Sequence, residues 1–534
     1  DVDLCWQYSP LVSVITIAYS NPKSKSKTLE LAMEAVQMIL SALTTPLMVL
    51  SVPLVLLGLF AHFAAGVSLH YMLRCFYLEF LLRWKASKLP DPPAKKADRY
   101  VPPNAGEEKL RGVAVPSWKE YSASGQVGPP TKRVESLFPK GQLPHGEELA
   151  YSVESRFLKG GLMAMPLLSS FGGSRRQKES AVEGVEEDEA WTHKVNCLRE
   201  GAEVHRQVRQ YVQQKVRPGK ELRQIVEMVE NASSTLVGFD AKNPLRRSFA
   251  FPTGLSLNEC AAHDTVNPGD EARWLLPTDL AKLDFGVQID GHILDCAFSF
   301  TFCDLHDELM QAVKEATNAG IRFAGPDALL NEMGAAIQEV MESAEVHRPD
   351  GKVLPIYSIK NLTGHSIAPY KIHAGKSIPS CNTGGSARMK CGELWAIETF
   401  GSAGGIGYVV NSGPSSHFMR GSLDPPRNFQ LNALSSNAKT MLELIDKRFG
   451  TLAFCPRWVL QEATRSKTKF SKVSTGRGSG GSWWEDSLHE LCNMGIVTPY
   501  PPLSDLPGCH TAQYEHTILL RGSGKEVLTR GSDY

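Results

Sequence analysis

Residues Leu283 to Phe302 read LDFGVQIDGHILDCAFSFTF, two short apolar runs joined by Asp290-Gly291. Asp-Gly is strongly favoured in a two-residue hairpin turn, where both positions need positive φ. Such a turn sets the register: Ile289 faces His292, so Gly286 faces Asp295 and Asp284 faces Ala297. Alternation along each strand then puts Asp284 and Asp295 on one face as diagonal neighbours. The ordinary fate of two acids is a solvated face, but Leu283, Phe285, Ile293, Cys296, Phe298 and Phe300 leave little such face here. An unpaired buried charge costs several kcal/mol, comparable with a whole domain's margin of stability. The pattern therefore calls for a cation between the two carboxylates.

The chain has 534 residues, enough for one large core with appendages. Lys+Arg and Asp+Glu each number 57, for a formal charge of zero and a pI near 7.3. That balance gives no ground for a direct nucleic-acid partner. Eleven cysteines lie scattered without any Cys-x-x-Cys, which fits a reduced cytoplasmic setting rather than a disulfide framework or a zinc ribbon.

No charged residue occurs from Ala35 to Leu73, and the run at about 46–67 is long enough to cross a bilayer. A transmembrane anchor is expected there, within an N-terminal extension over 1–88. A buried helical hairpin is the alternative, since Pro46, Pro53 and Gly58 interrupt the run. The basic residues Arg74, Arg83, Lys85 and Lys88 after the run place the rest of the chain in the cytosol. Residues 89–187, rich in Pro, Gly and Ser without a sustained apolar period, read as a disordered linker.

From about residue 188 helical periodicity begins. Val195, Leu198, Ala202, Val208 and Val212 form one stripe, Leu222, Ile225, Val226 and Val229 a second, with Pro218-Gly219 between them. After the hairpin the order recurs: a helix from about Asp307, a Gly325-Pro326 break, and a helix through Leu330, Met333 and Ile337. Helix, break, helix and strands, given twice, predict a two-fold internal repeat with a site between the halves. The second half offers the matching groups. His365 lies in GHSI, Glu398 is the lone acid of LWAIETFG, and Glu515 is the lone acid of YEHTILL. Two Asp, two Glu and one His carry four negative charges, which two divalent cations neutralise. Such an oxygen-rich set suits cobalt, manganese, iron or zinc, and paired metals of this kind serve hydrolysis.

These segments resemble a known family. FPTG at Phe251, NECAAH ending in His263, LDFG, ILDCAF, LTGHSI, YKIHAGK, AIETFG, FGTLAF, PYPPL and YEHTILL follow one another as in the type 2 methionine aminopeptidases. The resemblance covers about residue 190 to Tyr534. It implies an α+β pita-bread fold, that of creatinase and the aminopeptidases, with a pseudo-two-fold repeat over 188–534 and a helical insertion at about 430–510. It also implies removal of the initiator methionine from nascent proteins whose second residue is small.

Carried over by position, the resemblance makes Asp284, Asp295, His365, Glu398 and Glu515 the ligands of two divalent metal ions, with Asp295 and Glu515 bridging and Glu398 also the general base. It makes His263 the histidine beside the scissile bond and His373 the one that stabilises the tetrahedral intermediate. Phe251, Ile372, Phe400, His417, Ala453 and Tyr500 match the methionine pocket. The expected partners are peptides with N-terminal methionine, for a monomer, with the ribosome and a membrane as further candidates. Asp264 and the stretch Asn411 to Ser416 depart from the family pattern, as does the N-terminus, which lacks alternating basic and acidic tracts. Prolidases and aminopeptidases P share the five ligands, and some relatives are non-catalytic scaffolds that bind ribosomes or RNA. The long interval between Glu398 and Glu515 separates this chain from the first group, and its intact ligand set from the second. Gly476 to Gly481 fits G-x-G-x-x-G, but no strand precedes it, so it reads as a flexible insertion.

Overall fold

The computed structural model describes residues 108–117, 126, 128–138, 142–151, 188–423, 431–468 and 483–534. The chain divides into Asp1–Lys88 and Leu89–Tyr534. The expected membrane span at 46–67 and the glycine-rich stretch at 476–481 lie outside the described residues. Among the described residues no helix is long and apolar enough to cross a membrane.

A short strand, β1 (Glu147–Leu149), precedes two copies of one arrangement. In the first copy, helices α1 (Glu189–Lys215) and α2 (Leu222–Val237) lead into strands β2 (Arg247–Leu257), β3 (Cys260–Ala262), β4 (Ala281–Ile289) and β5 (His292–Phe300). In the second, α3 (Asp307–Phe323) and α4 (Leu330–Glu342) lead into β6 (Glu345–His347), β7 (Val353–Ser358), β8 (Thr363–Ile367), β9 (Ser377–Pro379) and β10 (Leu394–Ala403). The short strands β11 (Val410–Asn411) and β12 (His417–Met419) come next, followed by helix α5 (Ser436–Arg448), strand β13 (Ala453–Phe454) and helices α6 (Pro456–Arg465) and α7 (Trp483–Asn493). Strands β14 (Thr498–Tyr500), β15 (Leu503–Ser504), β16 (His510–Leu520) and β17 (Lys525–Val527) close the chain.

The hairpin forms as its turn dictates. Asp290 and Gly291 have φ of 48° and 85°, and Asp284 pairs with Ala297 while Gly286 pairs with Asp295. β2, β4 and β5 make one sheet, and β10 lies beside β16 and β8 in the larger one. The two sheets are stitched where β5 meets β16: Asp295 N donates to Thr517 Oγ1 at 2.9 Å, and Ser299 Oγ donates to the Gln513 carbonyl at 2.9 Å.

Each helix pair covers the outer side of its sheet because its apolar stripe must be buried. Val195, Leu198, Ala202, Val208, Ile225 and Val229 enter the main core with Leu283, Phe285 and Val287. His205 of α1 stacks on Phe285 at 3.8 Å and contacts the carbonyls of Phe285 and Cys296, which only accept, so its Nε2 carries the proton. The helices α5 to α7 gather a separate core around Met441, Ile445, Trp458 and Leu491.

The expectation of a disordered linker over 89–187 fails for its described segments. Leu110, Val113 and Val134 are buried in the main core, β1 pairs with β17, and the Gln126 side chain accepts from the amides of Thr131 and Lys132 at 2.9 Å. These segments attach through single buried side chains and backbone pairing, which leave no periodic stripe in the sequence.

The C-terminal segment is tied to α1 by a fully buried ion pair. Arg209 donates to both Asp533 oxygens, and through Nη1 and Nη2 to the Thr529 carbonyl at 3.1 Å. Removing one partner leaves an uncompensated buried charge. Asp533→Ala is expected to lower unfolding free energy by about 3–5 kcal/mol, read by urea denaturation, whereas a loss under about 1 kcal/mol would mean that water reaches the guanidinium.

Candidate metal centre

The hairpin, β10, β16 and β8 aim their acids and one imidazole at a common point. Asp284 and Asp295 share a face, as their pairing with Ala297 and Gly286 requires. Glu398 and Glu515 stand directly opposite each other across β10 and β16. His365, on β8 beside Ala396, brings Nε2 to 3.5 Å from Asp295 Oδ2 and 3.4 Å from Glu398 Oε1. Ligand atoms of Asp295, His365 and Glu515 all lie within 4.8 Å of one another. Asp284 and Glu398 join them through Gln513, whose Nε2 donates to Asp284 Oδ2 at 3.2 Å and to Glu398 Oε2 at 3.4 Å.

Burial makes this cluster costly. Asp295, His365 and Glu515 are buried, while Asp284 and Glu398 stay partly accessible from the cavity they line. Desolvation pushes the Asp284 carboxyl up to about 7. Desolvation, with the neighbouring carboxylates adding to it, raises Asp295, Glu398 and Glu515 well above the usual range. Asp284 Oδ1 and Glu515 Oε1 are buried without a hydrogen-bond partner. Unsatisfied buried acceptors beside a neutral imidazole are a donor set that fits divalent cations.

All thirteen residues singled out from the sequence line one cavity of about 470 Å³: the five above with Phe251, His263, Ile372, His373, Phe400, His417, Ala453 and Tyr500. The architecture explains how distant residues meet there. β12, β13 and β14 form a small sheet at the base of the helical insertion, and together they carry His417 and Met419, Ala453, and Tyr500 to the cavity. β2 is bulged on either side of Phe251, and Pro252 there offers a carbonyl to His417 Nε2 at 3.3 Å. The Phe251 ring fills the space where a Cβ on Gly286 would stand, 2.3 Å away, so only glycine fits opposite Asp295.

The histidines are placed individually. His263 has φ of 63°, an uncommon conformation for a side-chain-bearing residue, and its ring stands 5.8 Å from those of His417 and Tyr500. The His373 ring is 4.3 Å from that of His365. Burial, reinforced by His373, lowers His263 to about 4; burial, reinforced by His263, lowers His417 to about 3. With Nε2–H on the Pro252 carbonyl, His417 presents Nδ1 to Ser416 Oγ at 3.0 Å.

Gln513 and Ser416 were not singled out from the sequence. Gln513 could have been found, because it lies two residues before Glu515 and so shares its face. Ser416 ends the stretch Asn411 to Ser416 that departs from the family pattern, but no periodicity marks it as a partner of His417. Asp264, which departs from the family pattern, pairs with Arg273 at 2.7 Å.

The imidazole values carry a sign. A histidine held below its unfolded value of about 6.5 favours folding while neutral, and that contribution is lost as pH falls from about 6.5 toward the folded value. His263 and His417 are therefore expected to stay neutral from pH 8 down to about 5, seen as unmoving imidazole nitrogen shifts in NMR. A midpoint near 6.5 for either would contradict their burial.

Residues 196–419 match the model of metallopeptidase family M24. The chain is 46% identical over 416 residues to methionine aminopeptidase 2 of Puccinia graminis f. sp. tritici, covering 78% of this chain and 82% of that protein. It is 42% identical over 409 residues to methionine aminopeptidase 2 of Dictyostelium discoideum, covering 77% and 83%. Among solved structures, a thermophilic Arx1 superposes with a TM-score of 0.51 at 16% identity, over 64% of this chain and 92% of that one, a likeness of fold alone.

Proposed function

The chain belongs to the type 2 methionine aminopeptidases of metallopeptidase family M24, and we propose that Asp284, Asp295, His365, Glu398 and Glu515 hold two divalent cations at its active centre. It is a metal-dependent hydrolase that removes the initiator methionine from proteins. The observation that carries the metal assignment is the meeting of four carboxylates and one imidazole in one cavity wall, with acceptors left unsatisfied. Four negative charges match two divalent ions, with cobalt, manganese, iron and zinc all compatible with the donors. Bound there, the cations supply Lewis acidity toward a carbonyl and a water that is acidic near neutral pH.

The remaining steps belong to the chain's own residues. Glu398 takes the proton of the attacking water and passes it to the departing amine. His373, which lines the cavity, donates a hydrogen bond to the oxygen on which negative charge develops, while His263, its N–H given to the Pro501 carbonyl, lies beside the scissile bond. A neutral imidazole serves this role because it donates without adding a charge that would repel the cations. Phe251, Ile372, Phe400, His417, Ala453 and Tyr500 enclose the methionine side chain, whose polarizable thioether packs well against aromatic rings. Intact ligands argue against a non-catalytic scaffold, and the long helical insertion argues against cleavage beside proline.

Glu398→Gln keeps the side chain's size and removes the base. Its kcat on a Met-Gly peptide is expected to fall by on the order of 10²- to 10⁴-fold, with chelation abolishing activity in the parent and added divalent metal restoring it. Full activity in the variant or after chelation would remove this mechanism, and faster cleavage of an X-Pro peptide would reassign the substrate.

A further inference from the structure

A second group of metal-binding side chains lies outside the catalytic cavity, where α1 meets the tip of the hairpin. His193 and Cys197 are one helical turn apart in α1, and Asp290 is the first residue of the hairpin turn. His193 Nε2 stands 3.5 Å from Cys197 Sγ and 3.3 Å from Asp290 Oδ2, and the three ligand atoms all lie within 4.8 Å of one another. We propose that His193, Cys197 and Asp290 bind one zinc-like divalent cation, a site separate from the catalytic pair that staples the start of α1 to the hairpin.

The spacing fits such an ion. Tetrahedral zinc holds sulfur at about 2.3 Å, nitrogen at about 2.0–2.1 Å and oxygen at about 2.0–2.2 Å, so its nitrogen lies about 3.5 Å from the sulfur and about 3.3 Å from the oxygen. Those are the separations found. The donor set of thiolate, imidazole and carboxylate is one that zinc accepts, and the exposed His193 leaves a solvent side where water completes four ligands.

The surrounding charges leave room for the ion. Arg246 contacts Asp290 through Oδ1 at 3.4 Å, so Oδ2 remains turned toward His193. Arg247 is engaged by Glu200 at 2.6 Å, and Lys194 donates to the Gly392 carbonyl at 2.8 Å. Burial, with Asp290 and Glu200 adding to it, pushes the Cys197 thiol up to about 12. The cation must therefore displace a proton from sulfur, which goes to solvent, and binding strengthens as pH rises.

Cobalt separates this site from the catalytic one, because a thiolate-to-cobalt charge-transfer band in the near ultraviolet requires a sulfur ligand and the catalytic set has none. The reduced, metal-stripped intact chain is titrated with Co²⁺. The band is expected to saturate at one equivalent of its own site, to vanish in Cys197→Ser and to persist in Asp284→Asn. His193→Ala, a change at an exposed position, should weaken cobalt binding at this site by more than about tenfold, the loss typical of removing even an outer-shell partner. No band in the intact chain, or an unchanged band in Cys197→Ser or His193→Ala, would overturn the proposal and leave the three side chains as a hydrogen-bonded cluster.

Discussion

Asp284, Asp295, Glu398 and Glu515 repel one another, and burial makes that repulsion severe. Like charges a few ångströms apart interact far more strongly in a protein interior than in water. Burial raises all four carboxyls, and repulsion between neighbours raises Asp295, Glu398 and Glu515 further, so without cations the group holds protons. The arrangement is stable with the acids ionised only when positive charge sits among them. Metal binding at the proposed ligands would thus be linked to folding, because those side chains come from both halves of the domain and meet only in the folded chain.

That demand accounts for the architecture. A hairpin offers two acids on one face, and a pair of neighbouring strands offers two more directly opposite each other. Helices on the outer side supply the apolar burial that the charged inner face cannot. The insertion has its own core and reaches the cavity through a three-stranded sheet, so a pocket wall is built on an element that folds around different residues from those holding the metal ligands. Substrate preference can change there without disturbing the charged cluster.

Much of this could be read before the fold was seen. The Asp-Gly turn fixes the register of β4 and β5, and period-two alternation then fixes which side chains face inward. The helical stripes and their Gly and Pro breaks mark both halves of the repeat. Other features carry no local signature. The facing of Glu398 and Glu515 depends on the register of strands far apart in sequence, and the bridging role of Gln513 depends on both sheets at once. The segments around Leu110 and Val134 look like linker because irregular chain can be anchored by one buried residue at a time. The triad of His193, Cys197 and Asp290 joins a helix to a turn that only tertiary packing brings near it.

Anomalous diffraction from crystals of the intact chain grown with manganese tests the central claim most directly. Two peaks about 3.5–4 Å apart, enclosed by Asp284, Asp295, His365, Glu398 and Glu515, are expected. Absence of any peak among those five side chains, with the carboxylates still buried there, would contradict it.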